Sequence, residues 1–416
     1  MSQNNWYHVD NVAKVFLATA GNRDTRTLRV SCTLTEEINP EILQEALDQT
    51  LLVRPQFQVR IRRGFFWHYM EETDIQPIVQ EESGRVCPRL YAPGRRNNLH
   101  YQVSYYGKRI NFDLFHAISD GTGALEFLNI LVVNYLNIKY NNKYEDIVMN
   151  SGASADDLAE DSYKQFFDNK GKSQESMKKA YHPGGLKLPY DQLQFFELHI
   201  PTDKILPLAK GCGVSLTSYL GALLMMAIHD DMPSLSKDQP INVSMPVNLR
   251  NYYPSNTSRN FFNNVNVTHT FTEDIDICDL AKEFDAQLKS NLTPEKIKAQ
   301  MDSYEKMEAI MAVRAVPLLF KQPAVKFGSK VNDKKVSVVL SNLGVQKPDA
   351  KIAKHIENYS AFCSSSNLFV TASSYNGMLT LGVTSPYSNT GVLKDFVRSL
   401  TEQDIPVTVF ATEVIR

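Results

Sequence analysis

RINFDLFHAISDGTGALEFLNILVVNYL, residues 109–136, contains a strand, a sharp turn and a helix in succession. Strand side chains alternate between two faces, so Ile110, Phe112, Leu114 and His116 share one, and Arg109, Asn111 and Asp113 the other. His116 thus ends an apolar stripe just where the chain leaves the strand. Ser119-Asp120-Gly121-Thr122-Gly123 supplies turn and cap chemistry. The helix that follows packs through residues such as Leu125, Leu128 and Leu131. A histidine at a strand end facing an apolar interior can stay neutral near pH 7 and accept a proton from a substrate. Asp120 could hold the loop or orient the ring, and the glycines permit backbone geometry that other residues resist.

Strands and helices alternate outward from this stretch in both directions. LRVSCTL (28–34) alternates like a half-buried strand. NPEILQEALDQTLLV reads as a helix capped by Asn39, with Pro40 in its first turn and Ile42, Leu43, Ala46 and Leu47 on one face. QVRIRR and FFWHYM read as paired strands turning at Gly64, and LHYQVSYYGKRINFDLF as a hairpin with Gly107-Lys108 at its tip. Residues 146–192 are polar and rich in small residues, which predicts a linker with at most a short helix. Beyond it come a strand at QFFELHI and a helix capped by Ser215. Further strands are predicted at PINVSMPV, NVNVTHTF, KVSVVLSNLG, NLFVTASSY and MLTLGVTS, and helices near 276–292, 294–315 and 390–403. The expectation is an α/β (α+β) protein of two lobes, 1–145 and 193–416, each a mixed sheet with flanking helices.

Composition bounds the function. At 416 residues, with 43% hydrophobic and 22% charged residues, the chain can bury two cores. A formal net charge of −2 leaves no electrostatic footprint for nucleic acid. No apolar run approaches the ~18 residues that a membrane span needs, LGALLMMAI (220–228) being far too short. MSQNNWYHVDN has no basic region followed by an apolar stretch. The five cysteines (32, 87, 212, 278 and 363) are widely spaced and odd in number, which argues against a disulfide framework or a cysteine-rich zinc site. The expectation is a soluble, cytoplasmic protein.

FHAISDG, PVNLR (246–250), NFFNNV (260–265) and SNLG (341–344), in that order, resemble the chloramphenicol acetyltransferase-like superfamily, which includes condensation domains, wax ester synthases and alcohol O-acetyltransferases. WYHVDNVAKVF (6–16) and RPQFQVRIRRGFFWHYM (54–70) look most like bacterial alcohol acetyltransferase-like proteins, and the resemblance extends to SYNGMLTLGVTSPYSN near the C-terminus. It implies a tunnel between the lobes, with acyl-CoA (acetyl-CoA in the simplest case) entering as co-substrate from one face and an alcohol or amine acceptor from the other. His116 matches the catalytic base. Asp120 matches an aspartate that is structural and pairs with an arginine, for which Arg250 is the matching position. Gly121 matches a glycine that leaves room beside the histidine, and Ser341 and Asn342 lie in the tunnel-lining motif where a polar side chain could steady an oxyanion. Phe115 stands where condensation domains usually carry a first histidine, and the DFGWG motif of plant acyltransferases is absent.

This reading needs no metal, no resident cofactor and no covalent enzyme intermediate. No G-x-S-x-G elbow, P-loop or HExxH occurs. Its alternatives are condensation from a carrier-protein thioester and a non-catalytic relative that binds a ligand in the tunnel. A two-lobed chain encloses its own site, so a monomer suffices. Other candidates have plainer readings. His229-Asp230-Asp231 reads as a helix end rather than a metal site. Lys321, Lys326, Lys330, Lys334 and Lys335 read as a solvated surface rather than contacts to CoA phosphates. Phe65-Phe66-Trp67 and Phe261-Phe262 read as core or tunnel wall.

Overall fold

The computed structural model describes residues 6–412 except 83, 96–97, 148–153, 168–178, 190–191 and 310–315. Its described strands are β1 (Trp6–His8), β2 (Thr27–Leu34), β3 (Val59–Arg63), β4 (His68–Glu72), β5 (Gln80–Glu81), β6 (Tyr101–Tyr106), β7 (Arg109–Phe115), β8 (Gln194–Pro201), β9 (Ile241–Asn248), β10 (Phe262–His269), β11 (Val338–Val345), β12 (Ile356–Cys363), β13 (Leu368–Tyr375), β14 (Met378–Ser385) and β15 (Thr408–Ala411). They form three sheets, ordered β12-β2-β7-β6-β5, β10-β9-β11-β13-β14-β8-β15 and β1-β4-β3. The first two sheets, each with flanking helices, make the two mixed α/β lobes.

In the first lobe, helices α1 (Asn11–Thr19), α2 (Pro40–Val53) and α3 (Gly121–Lys139) contribute to one apolar core with β2 and β7. Asn39 caps α2 by accepting from the N–H groups of Glu41 and Ile42. Gly107, at φ +53, turns the β6–β7 hairpin. The strand β7 departs from the half-polar reading: Asn111 and Asp113 are as fully buried as Phe112 and Leu114. Its polar face is covered because each group has a partner. Arg29 donates to Asp113 at 2.8 and 2.7 Å and also pairs with Glu82, and Ser31 donates to Asn111 at 2.7 Å. Arg109 reaches across to the second lobe, donating to both carboxylate oxygens of Glu197 on β8 at 3.0 Å.

The second lobe packs the helices Leu216–Asp231, Ile277–Asn291 and Gly391–Thr401 against its seven-stranded sheet. β9, β11 and β13 run parallel and the remaining pairs antiparallel. β12 is the exception to the division by halves. It leaves the second lobe and pairs with β2 from Ile356↔Leu34 to Cys363↔Leu28, forming the edge of the first sheet. The two sheets meet closely there, since a Cβ on Gly382 would lie 1.9 Å from the carbonyl oxygen of Ala361. The boundary at 193 therefore does not partition the sheets.

Within 146–192, the described residues include two short helices, Ala155–Leu158 and Ser162–Phe166, while 148–153, 168–178 and 190–191 lie outside the described residues. Tyr163 is buried and exchanges hydrogen bonds with the backbone of Phe262 at 2.5 and 3.0 Å, so this stretch is anchored to the second lobe. The helix predicted at 294–315 runs Pro294–Ala309, and residues 310–315 lie outside the described residues. Four described helices outside 146–192 escaped the sequence reading: α1, Thr202–Gly211, Leu318–Asp333 and the short Ala350–Ala353, with a proline inside the second and third.

The cysteine reading needs correction. Cys212 and Cys278, separated by 66 residues, form a disulfide with Cα atoms 4.9 Å apart, while Cys32, Cys87 and Cys363 are free and buried. Cys212 caps the Thr202–Gly211 helix and Cys278 lies in the first turn of Ile277–Asn291, so packing joins what spacing left apart. A reducing compartment no longer follows from the cysteines.

Candidate active site

His116 is the first residue beyond β7 and is half-buried. Its backbone N–H donates to the carbonyl of Arg26 at 2.8 Å, and Arg26 itself holds the left-handed conformation at φ +51. The imidazole lies 4.5 Å from the ring of Phe16 on α1 and 5.8 Å from that of Phe262 on β10, so both lobes wall it. Burial pushes its pKa below the ordinary histidine value, opposed by the nearby charge of Asp120 and by bonds to its own carbonyl and to Asn260. The ring is therefore neutral at pH 7.

Which nitrogen carries the proton follows from Asn260. The Nδ2 of Asn260 donates to the carbonyl of His116 at 2.9 Å and to Asp10 Oδ2 at 3.3 Å. A backbone carbonyl can only accept, so the amide cannot be turned the other way round. Its Oδ1 therefore faces His116 Nδ1, 3.1 Å away, and Nδ1–H donates to it. Nε2 is left with the lone pair. Asp10 in turn caps α1 by accepting from Ala13 N–H at 2.7 Å, and burial pushes its carboxyl up to about 7.

Both oxygens of the Asp120 carboxylate are committed to a scaffold. Its Oδ1 accepts from Gly123 N–H at 3.0 Å, capping α3. Its Oδ2 accepts from Phe261 N–H at 2.9 Å and from Arg250 Nη1 at 2.8 Å. Arg250 also donates to the carbonyls of Thr257 and Arg259, so one guanidinium fastens the His116 loop to residues 257–261 of the second lobe. Gly123 is needed for closeness, since a Cβ there would lie 2.4 Å from the carbonyl oxygen of Ser258. At Gly121 the space is taken by Leu343, whose Cδ2 would be 2.9 Å from an added Cβ, and not by the histidine.

That contact brings SNLG against the start of α3. Asn342 is exposed, and its amide is already engaged, donating to Thr217 Oγ1 at 2.7 Å and accepting from Gly344 N–H at 2.8 Å. Phe115 is fully buried and stacked on Tyr91 with ring centroids 4.8 Å apart. Of the aromatic clusters, Phe261 is core, whereas Phe65 and Phe66 are exposed, which corrects the core-or-wall reading of that hairpin tip. His229 stacks on Phe271 at 4.2 Å. Among the described residues no group of three or more His, Cys, Asp or Glu is placed to hold a metal ion. Asn260, Asp10, Phe16 and Arg26 were not singled out in the sequence. Only Asn260, as the first residue of NFFNNV, and Asp10 and Phe16, inside WYHVDNVAKVF, lay in stretches already marked.

Residues 203–405 match the alcohol acetyltransferase family. Solved structures resemble the whole chain. The first condensation domain of the calcium-dependent antibiotic synthetase is 11% identical with a TM-score of 0.60, covering 97% of this chain and 99% of that one. The chain therefore shares the fold of that condensation domain. The trichothecene 15-O-acetyltransferase TRI3 from Fusarium sporotrichioides is 11% identical, with a TM-score of 0.61 over 96% of this chain and 95% of that one. Polyketide synthase associated protein 5 from Mycobacterium tuberculosis is 15% identical, with a TM-score of 0.61 over 94% and 95%. No curated protein matches the chain significantly. The matched family segment contains Arg250, Asn260, Ser341 and Asn342 but not His116.

Proposed function

We propose that this acyltransferase-type chain moves an acyl group, acetyl in the simplest case, from CoA to an alcohol hydroxyl, with His116 Nε2 as the general base. The observation that carries the reading is the fixed tautomer: Asn260 holds the proton on Nδ1 and leaves the basic nitrogen to a substrate. The acceptor O–H gives its proton to Nε2 as its oxygen bonds to the thioester carbonyl carbon. The oxyanion that forms collapses, the C–S bond breaks, and the imidazolium returns the proton to the leaving thiolate. Asn260 Oδ1 remains hydrogen-bonded to Nδ1–H throughout and steadies the imidazolium. Because the Asn342 amide is committed to Thr217 and Gly344, we assign oxyanion donation to Ser341. Asp120 and Arg250 serve the scaffold.

The test is free-thiol release from acetyl-CoA with a panel of alcohols and amines, for the wild type and His116→Ala. Release that depends on an alcohol and disappears in the variant is the expected result, and turnover surviving in the variant rejects the base. The condensation-domain likeness supports one rival reading, transfer from a carrier-bound thioester. Release from a carrier-bound donor alone would favour it, and CoA binding without release to any acceptor would favour a binding role.

A further inference from the structure

The helix Leu318–Asp333 carries its apolar residues on the wrong side for a core helix. Leu318 is turned inward and buried, and Lys321, Gln322, Ser329 and Asp333 are its half-buried positions. Phe320, Phe327 and Val331, which share one helical stripe, are 66%, 71% and 44% exposed, and Leu319 beside them is 66% exposed. The start of the helix is tied to the β3–β4 hairpin. Leu318 N–H donates to the carbonyl of Phe65 at 3.0 Å, and Lys321 lies 3.9 Å from the ring centre of Trp67. Exposed Phe65 and Phe66 thereby join the same end of the molecule. Among these apolar groups stand Lys321, Lys326, Lys330, Lys334 and Lys335, against one acid, Asp333, in a chain whose net charge is −2.

We propose that this face docks on an anionic lipid surface, with the helix lying in the interface, its phenylalanines among the acyl chains and its lysines at the phosphates. Such a helix needs an apolar face flanked by cations, not the length of a span, and no single described helix is long and apolar enough to cross a membrane. A second copy of the chain fits poorly. A two-fold interface would bring lysines of one copy toward those of the other, and interface cores are depleted in lysine. The helix packs on α1, whose Phe16 contacts the His116 ring, so docking sets the lipid surface one helix away from the candidate site. The docking does not depend on the catalytic reading.

The test is co-sedimentation of the full chain with vesicles of phosphatidylcholine alone or with about a third phosphatidylglycerol. Binding is expected to the anionic vesicles, roughly tenfold weaker without phosphatidylglycerol and weaker again as salt rises. Phe320→Ser/Phe327→Ser should lower anionic binding about tenfold, and Lys326→Glu/Lys330→Glu should reduce it to the level of neutral vesicles. Circular dichroism melting of both variants serves as the fold control. The proposal is overturned if the wild type binds neither vesicle, if the folded variants bind as the wild type does, or if the face instead holds a stable dimer that both variants dissociate.

Discussion

The loop after β7 and the helix Leu318–Asp333 manage the same two kinds of group in opposite ways. Around His116, polar groups are buried and partnered: Asp120 accepts three hydrogen bonds and Asn260 makes three. Along the helix, large apolar side chains stand in water. Buried polar groups and exposed apolar ones are the informative departures from a generic globular chain. The first arrangement fixes atoms in place, which suits chemistry. The second leaves a surface with unspent hydrophobic free energy, which suits association.

Mutations sharpen the contrast, beginning with the site. His116→Ala should lower kcat for thiol release by about a thousandfold, with an unchanged melting curve. A fall below about tenfold would undo the assignment of the base. Arg250→Met leaves Asp120 buried without its cation and should cost about 3 kcal/mol in urea unfolding. Asn260→Ala should lower kcat about ten- to a hundredfold with little change in KM. Because the Asn260 bond favours the protonated ring, its loss should also move the acid limb of the pH–rate profile to lower pH, a shift that a merely structural residue would not produce.

Asp10 tests the same network through stability. Burial and the charge of Asp161 raise its carboxyl to about 7, opposed by the Ala13 bond and by Arg259. The folded state thus holds a proton that the unfolded state has released above about pH 4, so wild-type stability should fall as pH rises from about 4 to 7, by at most ~1.4 kcal/mol per unit. Asp10→Asn keeps the helix cap and should remove that slope. At the other pole, Phe320→Ser/Phe327→Ser should change unfolding free energy by no more than about 0.5 kcal/mol. A larger loss would mean that the helix face is core after all.

Local pattern made β7, its turn and α3 legible, since strand and helix periods read out directly around His116. The Asp120–Arg250 pair was reachable only through the resemblance, because 130 residues separate them. Asn260 was not, since nothing local says that an amide just ahead of β10 turns toward an imidazole on another lobe. The Leu318–Asp333 helix was missed because Pro323 and Gly328 interrupt its pattern and its apolar stripe faces outward. The disulfide depended on two helix ends meeting, and the hairpin tip at Phe65 on a surface that composition does not reveal.

The course of β12 bears on how the protein is made. The first sheet lacks its β2 neighbour until residues 356–363 are synthesised. At roughly 5–20 residues per second, a ribosome would leave that sheet edge open for ten seconds or more after β7 emerges. The nascent first sheet therefore keeps an unpaired edge until a strand encoded about 240 residues beyond β7 arrives.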